Sequence, residues 1–343
     1  MWYKRPYNFF IYSSLMIIVT GGAGFIGSNI VAALEKAGKK DLVVVDELGS
    51  SAKWKNIAKR ELCAVIPPED MLDYMEAHAE EIEAVIHMGA ISATTETDAD
   101  LIIRTNFTLS WRLWEFCALY GKQFIYASSA ATYGDGSMGF DDDSSLEHVN
   151  ALRPLNAYGW SKALFDRKVA REVKEGRPVP PQYAGLKFFN VYGPNEYHKG
   201  GQKSVVAHIF PQVKVNETVK LFKSYHPDYR DGWQLRDFVW VGDCVNVVLW
   251  LLDHPEVSGL FNVGSGEARS FYDLAKAAFN ALGLQEKIAY REMPEELKGK
   301  YQYYTQADLS RLRAAGYAAP MTSLEDGVRQ YVQKYLDRED SYV

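Results

Sequence analysis

Three side chains near the middle of the chain have the chemistry of a proton-transfer site. Tyr158 and Lys162 are four residues apart, a spacing that places both side chains on one face of a helix. A lysine ammonium beside a phenol favours the phenolate, so we expect Lys162 to lower the pKa of Tyr158. A tyrosine tuned in this way can take a proton from an alcohol at neutral pH. Ser129, at the end of a predicted strand, can donate a hydrogen bond to the same substrate oxygen.

A Tyr–Lys pair of this kind is often only a surface pair. A glycine-rich segment near the start of the chain favours a catalytic role for it. The apolar run Met16–Thr20 predicts a strand, and apolar residues at helical spacing follow the glycines. The glycines fit G-x-x-G-x-x-G from Gly21 or G-x-G-x-x-G from Gly22, and both patterns let a pyrophosphate approach the backbone. N–H groups at the start of the following helix would face the phosphates. The segment therefore predicts a dinucleotide site rather than a simple turn between core strands.

Asp46 ends the next predicted strand, residues 41–46, and bears on the choice of cofactor. It lies about 20 positions beyond the last glycine, where a ribose-binding carboxylate belongs. A carboxylate there accepts hydrogen bonds from the 2′-hydroxyl of NAD and repels the 2′-phosphate of NADP. Lys53 follows in a polar stretch, where it either meets a 2′-phosphate or is a solvated surface lysine. These residues alone leave NAD and NADP both open.

Strands and helices alternate from residue 16 to residue 130, which predicts a doubly wound α/β fold with a parallel sheet. Further strands are predicted near 62–66, 83–88 and 123–128, and helices over 69–79 and 98–120. Small residues follow the strand at 83–88, at a carboxyl end where ligands bind in open parallel sheets. Residues 135–156 are acidic and polar and predict an exposed loop. A helix is predicted to begin near Ala157.

Composition excludes several classes of function. The 343 residues can form a large α/β domain and a smaller one, and the net charge of −6 argues against a general nucleic-acid binder. Cysteines 63, 117 and 244 are far apart and form no C-x-x-C pair, which predicts neither a disulfide framework nor a zinc site and fits a reducing cytoplasm. The histidines show no H-x-x-x-H spacing, so we predict no metal.

The N-terminal residues 1–15 loosely resemble a signal peptide, because two basic residues precede an apolar run. Cleavage after that run would remove the first strand of the nucleotide fold. We therefore interpret residues 1–15 as an N-terminal extension and Met16 as the functional start. No other run approaches the length of a membrane span, so we expect no membrane partner.

The glycine loop, the segment Ser129-Ala-Ala-Thr-Tyr-Gly134 and Tyr158-x-x-x-Lys162 together resemble the extended short-chain dehydrogenase/reductase family. The resemblance extends over residues 16–335. It implies a Rossmann-type doubly wound parallel sheet with a smaller α/β substrate domain. It also implies that serine, tyrosine and lysine handle a proton while a tightly held nicotinamide takes a hydride from a nucleotide-sugar carbon.

The expected domain organisation follows from this resemblance. Residues 16–190, with returns from 236–264, would form the NADP-binding domain. Residues 191–235 and 265–310 would form the substrate domain, and residues 311–343 would form C-terminal helices.

A narrower resemblance begins at Asn190-Val-Tyr-Gly-Pro194, a motif general to the family. Its continuation, Glu196-x-His-Lys199-Gly, is similar to a branch that epimerises an ADP-heptose at C6″ for the lipopolysaccharide inner core. Inverting an unactivated carbinol requires oxidation to a ketone, exposure of the other face and reduction. The two epimers place the oxygen differently, so the resemblance implies that Lys199 is a second proton-transfer group beside Tyr158. The branch also implies a homo-oligomer, a pentamer.

The resemblance further implies the site residues, with NADP as the expected cofactor and NAD as the alternative. The implied catalytic residues are Ser129, Tyr158, Lys162 and Lys199. The implied cofactor-binding residues are Gly21, Gly24, Phe25, Ile26, Gly27, Asp46, Glu47, Lys53, Met88, Gly89, Ala90, Ile91, Ser92, Asn106, Tyr158, Lys162, Val191 and Lys199. The implied substrate-binding residues are Ser129, Asn190, Gly201, His208, Phe222, Lys223, Ser224, Tyr225, Arg236 and Tyr301.

Two departures and three alternatives accompany this interpretation. The loop 226–235 is longer than in the family, and Met88 stands where some relatives have an acidic residue. A 4,6-dehydratase resembles Thr-Asp-Glu where this chain has Ser129-Ala-Ala, and a UDP-hexose 4-epimerase would not need the His-Lys pair that ends at Lys199. A non-catalytic NADP-binding protein would typically have lost Tyr158 or Lys162.

Overall fold

The computed structural model describes residues 15–295 and 302–343. Its strands are β1 (Met16–Thr20), β2 (Leu42–Val45), β3 (Ala64–Ile66), β4 (Ile82–His87), β5 (Gln123–Ser129), β6 (Tyr183–Phe188), β7 (Asn190–Tyr192), β8 (Val219–Phe222), β9 (Leu235–Trp240), β10 (Gly259–Val263), β11 (Ala268–Ser270) and β12 (Ile288–Arg291). Its α-helices are α1 (Phe25–Lys36), α2 (Met71–Ala77), α3 (Ala99–Ile102), α4 (Leu109–Tyr120), α5 (Leu146–Ala151), α6 (Ala157–Lys174), α7 (Val205–Lys214), α8 (Val241–Asp253), α9 (Phe271–Ala281), α10 (Ser310–Ala314) and α11 (Leu324–Tyr331).

The main sheet has seven parallel strands in the order β10-β6-β5-β4-β1-β2-β3. The chain moves outward from β1 through β2 to β3, then returns to β4 on the other side of β1. The point between β1 and β4 is thus the topological switch, where open α/β sheets bind ligands at their carboxyl ends. The predicted doubly wound α/β fold is confirmed.

Alternation along the strands produces two cores, one on each face of this sheet. Ile17 and Val19 of β1 pack with apolar residues of α1 and α8. Ile18, which points to the opposite face, packs with residues of α2, α4 and α6. Both faces are covered by helices, so residues on both sides of a central strand are buried, as all five residues of β1 are.

A third core lies outside the main sheet. It joins α7, α9 and α11 with β8 and β9. Beside it are a three-stranded sheet in the order β11-β9-β7 and a two-stranded sheet of β8 and β12. The division into domains stays a prediction.

Two segments differ from the sequence-based expectations. The stretch 135–156 contains the short helix α5, because Ser145 Oγ accepts a hydrogen bond from His148 N at 3.2 Å and caps it. The predicted helix 98–120 is continuous, but its middle, Ile103–Thr108, is π-helical. Within residues 15–295 and 302–343, no helix is long and apolar enough to cross a membrane.

Candidate active site

A cleft of about 1080 Å³ opens at the carboxyl ends of β1, β4 and β5. Its walls are the glycine loop, the residues after β4, the end of β5, the start of α6 and the segment 198–205. The topological switch point and the Tyr–Lys helix therefore share one cleft, and its volume suits a dinucleotide together with a second ligand.

The glycine loop has the shape of a backbone cradle. Gly21 has φ 64°, and a Cβ on Gly27 would lie 2.1 Å from Gly21 O, so α1 can approach the loop only without that atom. Gly22 packs against β2 instead of lining the cleft. The structure thus favours the pattern that starts at Gly21. Gly24 caps α1 without a side chain, which leaves first-turn N–H groups for a phosphate.

Asp46 and Lys53 form the next part of the wall. Asp46 Oδ2 accepts a hydrogen bond from Ala23 N at 2.9 Å, and its Oδ1 lies 2.5 Å from Lys53 Nζ. Lys53 also donates to the carbonyl of Glu47 at 3.0 Å. Asp46, the predicted ribose-binding carboxylate, therefore holds the glycine loop. It also pairs with Lys53, the lysine that would meet a 2′-phosphate. Glu47 is not among the residues that line the cleft.

Ser129, Tyr158 and Lys162 meet at the base of the cleft. Ser129 ends β5, and Tyr158 and Lys162 lie one turn apart on α6. Asn156 caps this helix by accepting a hydrogen bond from Gly159 N at 2.8 Å. Gly159 lets α6 pack closely, because a Cβ there would lie 2.7 Å from the carbonyl of Ala131.

The pKa of Tyr158 differs from the lowered value that the sequence predicted. Burial raises the pKa of Tyr158, and a hydrogen bond with Ser129 only opposes that effect. Burial lowers the pKa of Lys162 to about 8. The Lys162 ammonium donates to Ala127 O at 2.8 Å. The prediction that Lys162 lowers the pKa of Tyr158 is therefore wrong in this structure, since desolvation of the phenol dominates.

Lys199 reaches the same cleft from the short 3₁₀ segment Tyr197–Gln202. Its Nζ lies 5.5 Å from the ring centroid of Phe25, next to the glycine loop. Burial lowers the pKa of Lys199, and Glu196 opposes the shift. A lysine with a lowered pKa exchanges protons more readily near neutral pH.

Most of the predicted residues line this cleft. They are Gly21, Gly24, Phe25, Ile26, Gly27, Asp46, Lys53, Met88, Gly89, Ala90, Ser92, Ser129, Tyr158, Lys162, Asn190, Val191, Lys199 and Gly201. Asn106 lies behind the wall and holds Ile91, with Oδ1 accepting from Ile91 N at 2.8 Å and Nδ2 donating to Ile91 O at 2.9 Å. The same Nδ2 donates to Ser161 Oγ at 3.0 Å, so Asn106 joins the wall after β4 to α6.

Several predicted substrate residues lie outside the wall. The Arg236 guanidinium is 5.9 Å from the ring centroid of Phe271, which does line the cleft. His208 Nε2 lies 3.1 Å from the carbonyl of Gly201. Tyr301 is outside the described residues.

The stretch Phe222–Tyr225 is engaged by its own neighbours. Lys223 pairs with Glu292 at 2.6 Å, and Ser224 N donates to Asp231 Oδ1 at 2.8 Å. Asp231 belongs to the lengthened loop 226–235, so this loop folds back onto the stretch Phe222–Tyr225. Their contact with substrate stays a prediction.

Sequence reasoning missed other residues of the wall, among them Thr94, Thr95, His198, Lys203 and Phe271. His198 carried a signal, because it directly precedes Lys199 in the narrower motif. Its pKa is lowered by burial and by the charges of Lys53 and Lys199. Nothing in the sequence around the threonines or the phenylalanine marked them, since only folding brings them to the cleft.

Comparison with known proteins identifies the family. The NAD dependent epimerase/dehydratase family matches residues 17–264. The chain belongs to this family. Its cofactor is a nicotinamide dinucleotide, and the residues present fit one. Gly21, Gly24 and Gly27 line the cleft without side chains, and a Cβ on Gly21 or Gly27 would clash with the backbone that forms the loop.

Individual relatives are similar along more than nine-tenths of the chain. The curated ADP-L-glycero-D-manno-heptose-6-epimerase of Fusobacterium nucleatum is 50% identical over 336 residues, covering 96% of this chain and 100% of the relative. The crystal structure of the Helicobacter pylori enzyme of that name matches with a TM-score of 0.76 and 27% identity, covering 94% and 96% of the two chains. Thermus thermophilus UDP-glucose 4-epimerase, solved with NAD, matches with a TM-score of 0.70 and 26% identity, covering 93% and 98%.

Proposed function

We propose that this protein is an ADP-L-glycero-D-manno-heptose 6-epimerase, an isomerase that interconverts the D-glycero and L-glycero forms of ADP-manno-heptose. The observation that carries the proposal is the position of Lys199, which lies in the cleft with Tyr158 and Lys162 and would supply a second proton-transfer group. Half of the residues are identical to those of a curated enzyme with this activity, over its full length. The product would enter the lipopolysaccharide inner core.

A nicotinamide held along the glycine loop, Gly21, Gly24 and Gly27, would supply reversible hydride transfer at C6″, so the reaction would have no net redox change. Tyr158 or Lys199 takes the proton of the C6″ hydroxyl in one direction and returns it in the other. Ser129 donates a hydrogen bond to the same oxygen. Lys162 places its positive charge beside Tyr158. When the ketone presents its opposite face, the oxygen moves to the second proton-transfer group. Two groups on separate elements thus serve two stereochemistries.

Within this function we propose NADP as the cofactor, with NAD as the alternative. Lys53 supports NADP, because its ammonium stands at the ribose-binding carboxylate. We also propose that the protein is a homo-oligomer. We propose the cytoplasm as its compartment, because Cys63, Cys117 and Cys244 are all free thiols. In the substrate, Arg236 would bind the diphosphate, since a guanidinium holds phosphate oxygens in bidentate fashion.

The deciding experiment incubates purified protein with ADP-D-glycero-D-manno-heptose, without added cofactor, and follows C6″ by proton NMR. We expect conversion to the L-glycero epimer, because the cofactor stays bound through each cycle. Lys199→Met should reduce the rate at least about 100-fold. Lys214→Met, a change of the same type at an exposed lysine outside the cleft, is the matched control and should stay near the unmodified rate.

Two results would contradict the proposal. An unchanged rate in Lys199→Met would remove Lys199 from proton transfer. No conversion even with added NADP or NAD, together with turnover of UDP-glucose, would assign the chain to the UDP-hexose 4-epimerases.

A further inference from the structure

Three buried asparagines hold the turn before Lys199 against α1 and the glycine loop. Asn195 has φ 72°, a left-handed backbone conformation that is uncommon outside glycine, and its side chain is fully buried. Its Nδ2 donates to Ser28 Oγ of α1 at 2.9 Å. Asn29 of the same helix donates from Nδ2 to Pro194 O at 3.0 Å. The turn therefore has a fixed place against the helix that follows the glycine loop.

Asn56 makes the second connection and reaches both walls of the cleft. The residue is 2% exposed, at the end of a short 3₁₀ helix. Its Nδ2 donates to Ala23 O of the glycine loop at 2.8 Å and to Asn195 O at 3.0 Å. It also lies 3.2 Å from Nδ1 of His198, the residue before Lys199. One amide thus joins the cofactor side of the cleft to the segment that carries Lys199.

Glu196, directly after Asn195, ties the same turn to two further elements. Buried Glu196 accepts hydrogen bonds from Ser204 Oγ at 2.6 Å and from the hydroxyl of Tyr331 at 2.9 Å. Lys199 N donates to Glu196 O at 3.0 Å. Glu196 thus links the start of the segment to Ser204 at its end, and the direction of Lys199 depends on where the turn at residues 195 and 196 lies against the glycine loop.

We propose that Asn195 and Asn56 are positioning residues that aim Lys199 into the cleft. The inference rests on the proposed function, in which Lys199 is the second proton-transfer group. The two amides hold the turn against the glycine loop, and loss of either would let it move away and expose Lys199 to water. Ser129, Tyr158 and Lys162 lie on β5 and α6 and would keep their places.

The test compares Asn195→Ala, Asn195→Gly and Asn56→Ala with the unmodified protein. Acylation of Lys199 is measured against pH by peptide mass spectrometry, with Lys162 as the internal reference. Burial lowers the pKa of Lys199 in the intact protein, so we expect its apparent pKa to rise toward the ordinary lysine value in all three variants while that of Lys162 stays. The kcat of epimerisation should fall about tenfold, with KM within about twofold, because a small misplacement affects chemistry more than binding.

The glycine variant and a distant asparagine separate positioning from backbone strain. Glycine tolerates φ 72° but has no amide, so Asn195→Gly should resemble Asn195→Ala. Asn216→Ala is the matched control, since Asn216 also has a left-handed φ of 56° but is exposed and is not part of the cleft. The proposal would be overturned if the apparent pKa of Lys199 in Asn56→Ala equalled that of the unmodified protein. It would also be overturned if Asn195→Gly had the pKa of Lys199 and the kcat of the unmodified protein. The titration needs no substrate, so it decides this inference even if the proposed reaction is not found.

Discussion

Asp166 and Lys187 form an ion pair of 2.8 Å in which each side chain is only 1% exposed. Asp166 Oδ2 also accepts a hydrogen bond from Ser128 Oγ at 2.7 Å, and Lys187 donates to Thr132 Oγ1 at 2.8 Å. The pair therefore braces the residues on both sides of Ser129 at the end of β5. Its partners are fully desolvated, so each charge depends on the other.

Removing one partner of this pair should destabilise the protein strongly. Lys187→Met leaves the Asp166 carboxylate buried without its ion-pair partner, and we expect a loss of about 3–5 kcal/mol in the free energy of unfolding. Urea denaturation followed by circular dichroism measures it. The double variant Lys187→Met with Asp166→Asn should recover at least half of the loss, because no charge is left buried.

An exposed pair provides the control for this prediction. Lys214 pairs with Asp337 at 2.9 Å, with side chains 54% and 41% exposed. Lys214→Met should cost at most about 1 kcal/mol, because solvent screens exposed pairs. A similar loss in Lys187→Met and Lys214→Met would contradict the role assigned to the buried pair.

Lys53 should decide the preference between the two nicotinamide cofactors. If its ammonium meets the 2′-phosphate, Lys53→Met should weaken NADP binding about tenfold, since one charge-assisted contact contributes on that order, and leave NAD binding nearly unchanged. Fluorescence titration of protein freed of cofactor measures both affinities. Lys55→Met, an exposed lysine of the same 3₁₀ helix, should change neither. Equal weakening of both cofactors would place Lys53 away from the 2′-position.

Tyr158 should be needed for chemistry but not for the fold. Tyr158→Phe removes only the hydroxyl, and we expect kcat to fall by about 100-fold or more, the usual contribution of a positioned acid–base group. Cofactor content and urea midpoint should stay near those of the unmodified protein, because the ring keeps its place in the cleft wall and only the hydroxyl is lost. Activity within threefold of the original would exclude Tyr158 as a proton-transfer group.

The sequence predicted those parts of the fold and of the site that short stretches of residues encode. The glycine loop, the strand before it and the helix of Tyr158 and Lys162 each carry their pattern in a short stretch, and the structure places them at one cleft. Helix α5 was missed because six residues within an acidic stretch contain too little periodicity.

Other features could not be predicted because they depend on burial or on distant contacts. The raised pKa of Tyr158 follows from how deeply folding desolvates the phenol. The bonds of Asn56 to Ala23 and Asn195 join residues 33 and 139 positions apart. No local spacing encodes either property.

His87 should make the fold sensitive to acid. It is 1% exposed, with Nδ1 2.6 Å from Thr20 Oγ1 and Nε2 2.8 Å from Ser110 Oγ. Burial, with a smaller effect of the charge on Lys162, lowers its pKa to about 3 from the usual 6.5. Between pH 6.5 and 3 the unfolded chain therefore binds more protons at this residue, so stability falls as the pH falls through that window.

The expected loss from His87 alone is about 4–5 kcal/mol across the window. Asp142, whose pKa burial raises to about 6, acts in the opposite direction, so the test must compare variants and not rely on the total. His87→Gln can keep a hydrogen bond but does not titrate, and the slope of its unfolding free energy against pH should be shallower between pH 6 and 4. His226→Gln, which changes an exposed histidine, should retain the original slope. Parallel slopes for the original protein and His87→Gln would show that the buried imidazole is not what makes the fold acid-sensitive.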